Sequence, residues 1–222
     1  MGFGDLSYDV AHLLGGAMLL ISFVLLYQRR IFALVNALAL QGGFLALAAL
    51  WQAYVQAAPQ LYVTAAIALI AKGILIPIYL RRMVTQLPPA RRAEPASGIG
   101  ASMIAGFLLV GLSILVVLPA TSGARALARE DLAIALSIVL LGLLMMVTRR
   151  SALAQIAGLM TLENGLVLGA VGVAGMPLVV ELSTAGLVLV IAVIAGIFAR
   201  VLHERFESLD TSVLDPHRGE GS

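Results

Sequence analysis

Apolar residues run along this chain in long blocks that are separated by short polar stretches. Seven of these blocks are long enough to cross about 30 Å of hydrocarbon at a helical rise of about 1.5 Å per residue. They cover residues 9–28, 31–54, 61–81, 99–119, 131–148, 151–174 and 177–200. Backbone polar groups in lipid have to be paired within their own segment, so each block is predicted to be a transmembrane helix.

The composition agrees with a protein that is embedded in a lipid membrane. Of the 222 residues, 61% are hydrophobic and 12% are charged, whereas about 25% of the residues of a soluble domain are charged. The chain has no cysteine, which excludes disulfides, iron–sulfur clusters and thiolate zinc sites. Its three histidines lie far apart in sequence. We therefore predict no metal site, no catalytic residue, no cofactor bound by this chain and no nucleic-acid partner.

Arginines gather at the ends of alternate blocks, and this asymmetry predicts the orientation. They follow the first, third, fifth and seventh blocks, as Arg29, Arg30, Arg81, Arg82, Arg91, Arg92, Arg149, Arg150, Arg200, Arg205 and Arg218. The opposite ends carry only Arg125 and Arg129, followed by two acidic residues. Because basic residues accumulate on the cytoplasmic side, the N-terminus is predicted to lie outside and the C-terminus in the cytoplasm.

The two halves of the chain resemble each other. LYQRRIFALVNALALQGGFLAL in the first half resembles VTRRSALAQIAGLMTLENGLVL in the second. Within them LQGG at 40–43 corresponds to LENG at 162–165, which places Gln41 opposite Glu163. The predicted fold is an all-α polytopic bundle of seven helices, in which the fourth helix joins two three-helix repeats of parallel orientation. The predicted divisions are 1–85 for the first unit, 86–130 for a proline-rich linker and the fourth helix, 131–203 for the second unit and 204–222 for a cytoplasmic tail.

Two ionisable residues are predicted to lie at the middle of the membrane. Glu163 follows Arg150 by 13 residues, about 20 Å along a helix, and Lys72 precedes Arg81 by 9 residues, about 13 Å. A charge at this depth costs about 2.5–3.5 kcal/mol on insertion scales, so residues kept there are candidates for function. In the functional interpretation both residues line a polar axis that carries protons. The alternative is a buried ion pair or a hydrogen-bonded helix contact.

A break in the third helix is predicted beside Lys72. Pro77 has no N–H and leaves the carbonyl of Gly73 without its helical partner, which makes a polar, hydratable kink next to the lysine. A kink that serves only packing remains the alternative.

Further polar residues extend the proposed axis. Gln41 and Asn164 can hold water in a relay, although for each residue alone an interhelical hydrogen bond is the favoured interpretation. Glu181 lies near the outer end of the last block, where it is either interfacial or the exit of the proton path. Gly165 and Gly169 form a GxxxG pattern on the helix of Glu163, which predicts a close helix contact.

The second half of the chain resembles the K-type subunit of complex I and the C-type subunit of Mrp antiporters. The shared stretches are RRSALAQIAGLMTLENGLVL and the ending ARVLHERFESLDTSVL. In that three-helix family a glutamate on the second helix lies on the central polar axis, and Glu163 matches it. The family's other glutamate has no counterpart in residues 185–199, which are wholly apolar.

Over its whole length the chain resembles component E of hydrogenase-4, a seven-helix relative of the K-type subunit. The similar features are AKGILIPIYLRRM with its lysine, the M-x-x-E-N-G segment, Glu181 and the Leu-Asp ending. The resemblance implies a subunit of a group 4 nickel–iron hydrogenase or formate hydrogenlyase-like complex in a bacterial inner membrane. Its implied partners are antiporter-like membrane subunits, a quinone-site-like membrane subunit and a hydrogenase-like peripheral arm, which would carry the redox chemistry.

Three functions remain open from the sequence. The chain is a proton-translocating subunit of a redox-driven complex, a scaffold subunit that joins antiporter-like modules without conducting ions, or a cation/proton antiporter, as a complex subunit or a separate transporter. For a separate transporter, a broken helix is expected at corresponding places of both halves, and only the first half has one.

Overall fold

The computed structural model describes residues 3–86, 98–121, 126–149 and 151–172, together with Gly186, Ile191 and Ile194. These residues are helical almost throughout and include no extended strand segment. The helices are α1 (Phe3–Tyr27), α2 (Ile31–Val55), α3 (Pro59–Ile67), a π-helical segment (Ala68–Leu75), α4 (Ile76–Gln86), α5 (Ile99–Ala120), α6 (Ala126–Thr148) and α7 (Ala152–Gly172).

Within the described residues, six spans are long and apolar enough to cross a membrane. They are Asp9–Tyr27, Ile31–Val55, Pro59–Arg82, Ile99–Ala120, Glu130–Thr148 and Ala152–Gly172. The all-helical, membrane-type bundle is therefore confirmed for the first six predicted helices. The predicted seventh helix over 177–200, the tail over 204–222 and Glu181 lie outside the described residues, except for the three single positions.

Some predicted boundaries differ from the observed ones. The third predicted helix, 61–81, consists of α3, the π-helical segment and α4, and it extends from Pro59 to Gln86. The fifth, predicted to begin at 131, begins at Ala126. In both cases polar residues form part of the helix beyond its apolar block, because a helix does not have to end where the hydrocarbon ends.

Close approach of α6 and α7 depends on glycine. A Cβ added to Gly142 of α6 would lie 2.5 Å from the backbone nitrogen of Leu162, and one added to Gly165 of α7 would lie 2.9 Å from the carbonyl oxygen of Ala135. Gly169, the second glycine of the GxxxG pattern, also faces Ala135. The two backbones touch through small residues, the usual packing of helices in lipid.

The second helices of the two predicted repeats pack against each other at the centre of the bundle. α2 contacts α1, α3, the π-helical segment and α7, while α1 also packs on α6. α5 packs on α6 and α1 at the edge of the bundle. The functional candidates of both halves are thereby brought to one central region, where α2, α7 and the π-helical segment meet.

Candidate functional site

Lys72 and Glu163 form an ion pair inside the bundle. Lys72 Nζ contacts Glu163 Oε2, and the two side chains are only 1% and 8% exposed. Lys72 lies near the middle of the span Pro59–Arg82, and Glu163 lies near the middle of Ala152–Gly172. The structure thus joins the two charged residues that the sequence placed at mid-membrane depth.

The backbone around Lys72 is held against α2 at a glycine. A Cβ added to Gly42 would lie 2.7 Å from the carbonyl carbon of Lys72, 2.8 Å from its oxygen and 2.9 Å from the nitrogen of Gly73. A side chain at position 42 would therefore force α2 and the π-helical segment apart. Gly42 follows Gln41 directly, so one short stretch of α2 contacts both the lysine backbone and the polar centre.

The irregular part of the third helix is the π-helical segment, which contains both Lys72 and Gly73. Sequence reasoning placed the irregularity at Gly73 and Pro77, and the structure extends it over Ala68–Leu75. The N–H of Ile76 donates to the carbonyl of Ala71, five residues earlier. Pro77 lies in the first turn of α4 and can donate neither to Gly73, four residues earlier, nor to Lys72, five residues earlier. π-Helical turns of this kind are frequent at functional sites.

The carboxylate of Glu163 lies against Gly186. A Cβ added to Gly186 would lie 2.5 Å from Cγ of Glu163 and 2.6 Å from its Oε1. An alanine at this position would therefore displace the carboxylate. Neither Glu163 oxygen accepts a well-formed hydrogen bond from the described residues, so the ion-pair contact is its main stabilising interaction in the described part of the chain.

Gln41 connects the two halves through neutral hydrogen bonds beside the ion pair. Its Nε2 donates to Ser22 Oγ at 2.9 Å. Its Oε1 accepts from Asn164 Nδ2 at 3.2 Å and from Thr161 Oγ1 at 3.3 Å. All four side chains are buried. The structure therefore brings together Gln41, Asn164, Glu163 and Lys72 from the sequence-predicted axis.

A second polar cluster lies at the end of the bundle that the arginine pattern assigns to the outside. His12 Nε2 is 2.6 Å from Glu130 Oε2, and His12 Nδ1 is 3.6 Å from Asp131 Oδ1. These contacts join α1 to the beginning of α6. No pattern in the sequence pairs His12 with these residues, which are more than a hundred positions away.

Arg149 was expected only to mark a cytoplasmic helix end, but it is 2% exposed. It donates to the carbonyl oxygens of Leu25 and Leu26 at the end of α1. These carbonyls have no partner within their own helix, so the guanidinium caps α1. Burial, together with the nearby Arg29, lowers the pKa of Arg149.

Sequence reasoning missed Gly42, Gly186 and Arg149 as parts of this architecture. The double glycine after Gln41 was an available signal for close approach of α2 to a neighbouring helix. Neither Gly186 nor Arg149 carries a local signal, because each acts on a residue from a distant part of the chain. Within the described residues, no group of three or more histidine, cysteine or acidic side chains is arranged to hold a metal ion.

The comparisons with known proteins place the chain beside a mycobacterial relative. It is 28% identical over 204 residues to a Mycobacterium tuberculosis protein, Rv0085, whose description states no function, and the match spans 90% of this chain and 91% of that protein. No known family description matches the chain, and no solved structure matches it. The similarity therefore extends over nearly the full length of both proteins.

Proposed function

We propose that this chain is a small membrane subunit of a redox-driven, proton-translocating complex of the group 4 nickel–iron hydrogenase or formate hydrogenlyase type. One observation carries the proposal: a lysine and a glutamate, both buried at mid-membrane depth, contact each other across two helices. Charged residues at this depth mark proton relays and ion pathways. The resemblance to component E of hydrogenase-4 supports the choice of complex.

In this proposal the chain has seven transmembrane helices in two parallel three-helix repeats. It lies in a bacterial inner membrane with its N-terminus outside. Its partners are antiporter-like subunits, a quinone-site-like subunit and a hydrogenase-like peripheral arm. The redox centres belong to those partners, and this chain binds no cofactor of its own.

The chemistry of the site suits the passage of one proton at a time. When Glu163 takes up a proton, its charge is lost and the attraction that holds the Lys72 ammonium is lost with it. The ammonium can then pass a proton to a neighbouring carrier, and transfer of the Glu163 proton to the neutral Lys72 amine restores the ion pair. The π-helical segment supplies freed backbone carbonyls next to the lysine, which can hold water in the path.

A non-conducting scaffold is the second candidate, and the ion pair itself favours it. Two opposite charges in contact neutralise each other, and a buried pair of this kind can serve to specify the packing of α7 against the third helix. The neutral hydrogen bonds of Gln41 serve the same purpose between α2 and α7. The scaffold needs the packing and has no need of an exchangeable proton.

The variant Glu163→Gln separates the two candidates in the intact complex. It keeps the size of the side chain and removes the exchangeable acid. We expect the complex to assemble and proton movement into proteoliposomes to fall, while Glu163→Asp, which keeps a carboxylate, retains part of it. An assembled Glu163→Gln complex with wild-type proton movement would refute the relay and favour the scaffold. Purification of the chain without redox subunits would refute the assignment to such a complex.

A further inference from the structure

A small cavity opens beside the cluster of His12, Glu130 and Asp131. Four helices form its wall, and its lining includes Gly15, Ala48, Gln52, Asp131, Leu168 and Gly172. There is room in it for about one water molecule. The carboxylate of Asp131 and the amide of Gln52 are polar groups that such a water can bond.

The inner end of this cavity lies close to the ion pair. Ala48 is six residues beyond Gly42, which contacts the Lys72 backbone, and Leu168 is five residues beyond Glu163. At about 1.5 Å per residue, these separations along the helices are about 9 Å and 7.5 Å. Water at Ala48 and Leu168 is therefore about one and a half helical turns from the charged pair.

A thin apolar layer separates the cavity from the pair. Leu45 and Val167 are fully buried and belong to the same packed cluster. By helical register, Leu45 lies one turn beyond Gln41 and Val167 lies one turn beyond Glu163. Thr64 of α3 is fully buried, and its hydroxyl has no hydrogen-bond partner in the part of the chain that the structure describes. By register, Thr64 lies eight residues before Lys72, on the cavity side of the layer, where a buried hydroxyl of this kind is suited to bond water.

We propose that this cavity is the access port through which protons exchange between the outer solution and the Lys72–Glu163 pair. The proposal rests on the proposed function and adds the route and the side of access. Asp131 takes a proton from the solution and passes it through water to Glu163, which leaves Asp131 as a carboxylate that can take up the next proton. Leu45 and Val167 keep the route closed until water crosses them. His12 and Glu130 hold the beginning of α6 at the mouth of the cavity.

The absence of cysteine from the chain allows a direct test of solvent access in the membrane-embedded protein with its partners. In one variant a single cysteine replaces Ala48, which lines the cavity and is 4% exposed. In the other it replaces the neighbouring Leu47, which is 51% exposed and does not line the cavity. Silver ions are applied briefly from the outer side, and the remaining thiol is counted by a maleimide mass shift after denaturation.

We expect Ala48→Cys to react about tenfold faster than Leu47→Cys, because the reactive thiolate forms in contact with water and not in hydrocarbon. Asp131→Asn should slow the Ala48→Cys reaction, since the carboxylate attracts the cation. Gly172→Cys provides a second site, because its Cβ would lie 3.6 Å from Asp131 Cβ, an ordinary contact that the fold tolerates.

Equal rates at Ala48→Cys and Leu47→Cys, with Gly172→Cys also unreactive, would overturn the port. Faster reaction from the cytoplasmic side would overturn it as well. If the port fails while Glu163→Gln still abolishes proton movement, the proposed function survives with another route. If the thiols react as expected while Glu163→Gln moves protons normally, the cavity is wet but serves no proton path, and both proposals fail.

Discussion

Gln41 and Glu163 occupy corresponding places in the two halves of the sequence, but their surroundings differ. The Gln41 amide is hydrogen-bonded at both ends, to Ser22 on one side and to Asn164 and Thr161 on the other. The Glu163 carboxylate has its ion-pair contact with Lys72 and no well-formed hydrogen bond from the described residues. A neutral amide has no proton to exchange at physiological pH and is held by its hydrogen bonds, whereas a carboxylate can take up and release a proton. In the proposed function, Gln41 is therefore a structural polar residue and Glu163 the residue that exchanges protons.

The largest effect is expected from breaking the pair on one side only. Lys72→Met removes the ammonium and leaves the Glu163 carboxylate buried without its partner. Removing one partner of a buried pair costs about 3–5 kcal/mol, unless the remaining group becomes neutral. We expect a lower unfolding temperature of the purified complex, with part of the loss recovered at acidic pH, where Glu163 takes up a proton. A stability equal to that of the wild type at neutral pH would show that the contact contributes little.

A smaller effect is expected where α2 contacts the lysine backbone. Gly42→Ala places a methyl group 2.7–2.9 Å from backbone atoms of Lys72 and Gly73, and relieving such overpacking costs about 1–3 kcal/mol. Gly43→Ala is the matched control, since a Cβ there meets nothing within 4 Å. Thermal unfolding of the two variants should differ clearly. Equal stabilities would mean that the close approach at Gly42 is not required.

The two charged residues of the site could be predicted from the sequence better than the residues that pack around them. Lys72 and Glu163 were predictable because a charge within an apolar block is rare, and their depth follows from counting residues to the nearest arginine. Whether they form a direct ion pair or line a proton axis could not be decided, because sequence alone does not say which helices meet. The π-helical segment is longer than the predicted kink, because hydrogen bonds to the fifth residue back replace those to the fourth over several residues before Pro77.

Contacts between distant parts of the chain could not be predicted from the sequence for the same reason. In the sequence, Arg149 at the end of an apolar block indicates only the orientation in the membrane. In the structure, its guanidinium caps the end of α1. The pairing of His12 with Glu130 depends on how α1 and α6 lie side by side. Such roles depend on tertiary packing, which the apolar pattern of each helix does not encode.

The smallest effect on stability is expected on the neutral side of the comparison. Gln41→Leu removes the hydrogen bonds to Ser22 and Asn164, which average about 0.6 kcal/mol each in membrane proteins. The Thr161 hydroxyl keeps its shorter bond to the Ala157 carbonyl. We expect a loss of about 1 kcal/mol and proton movement close to the wild-type rate in the assembled complex. Loss of proton movement in a stable Gln41→Leu complex would place Gln41 in the path and remove the distinction from Glu163.

Whether the Lys72–Glu163 pair carries protons is tested most directly by the double variant Lys72→Met with Glu163→Gln. It removes both charges, so neither remains buried alone, and replacing a buried pair by neutral groups is often harmless to stability. The measurement is proton movement by the intact complex in proteoliposomes, beside its unfolding temperature. We expect stability to recover relative to Lys72→Met while proton movement stays lost. A double variant that is stable and moves protons at the wild-type rate would contradict the claim that this pair carries protons.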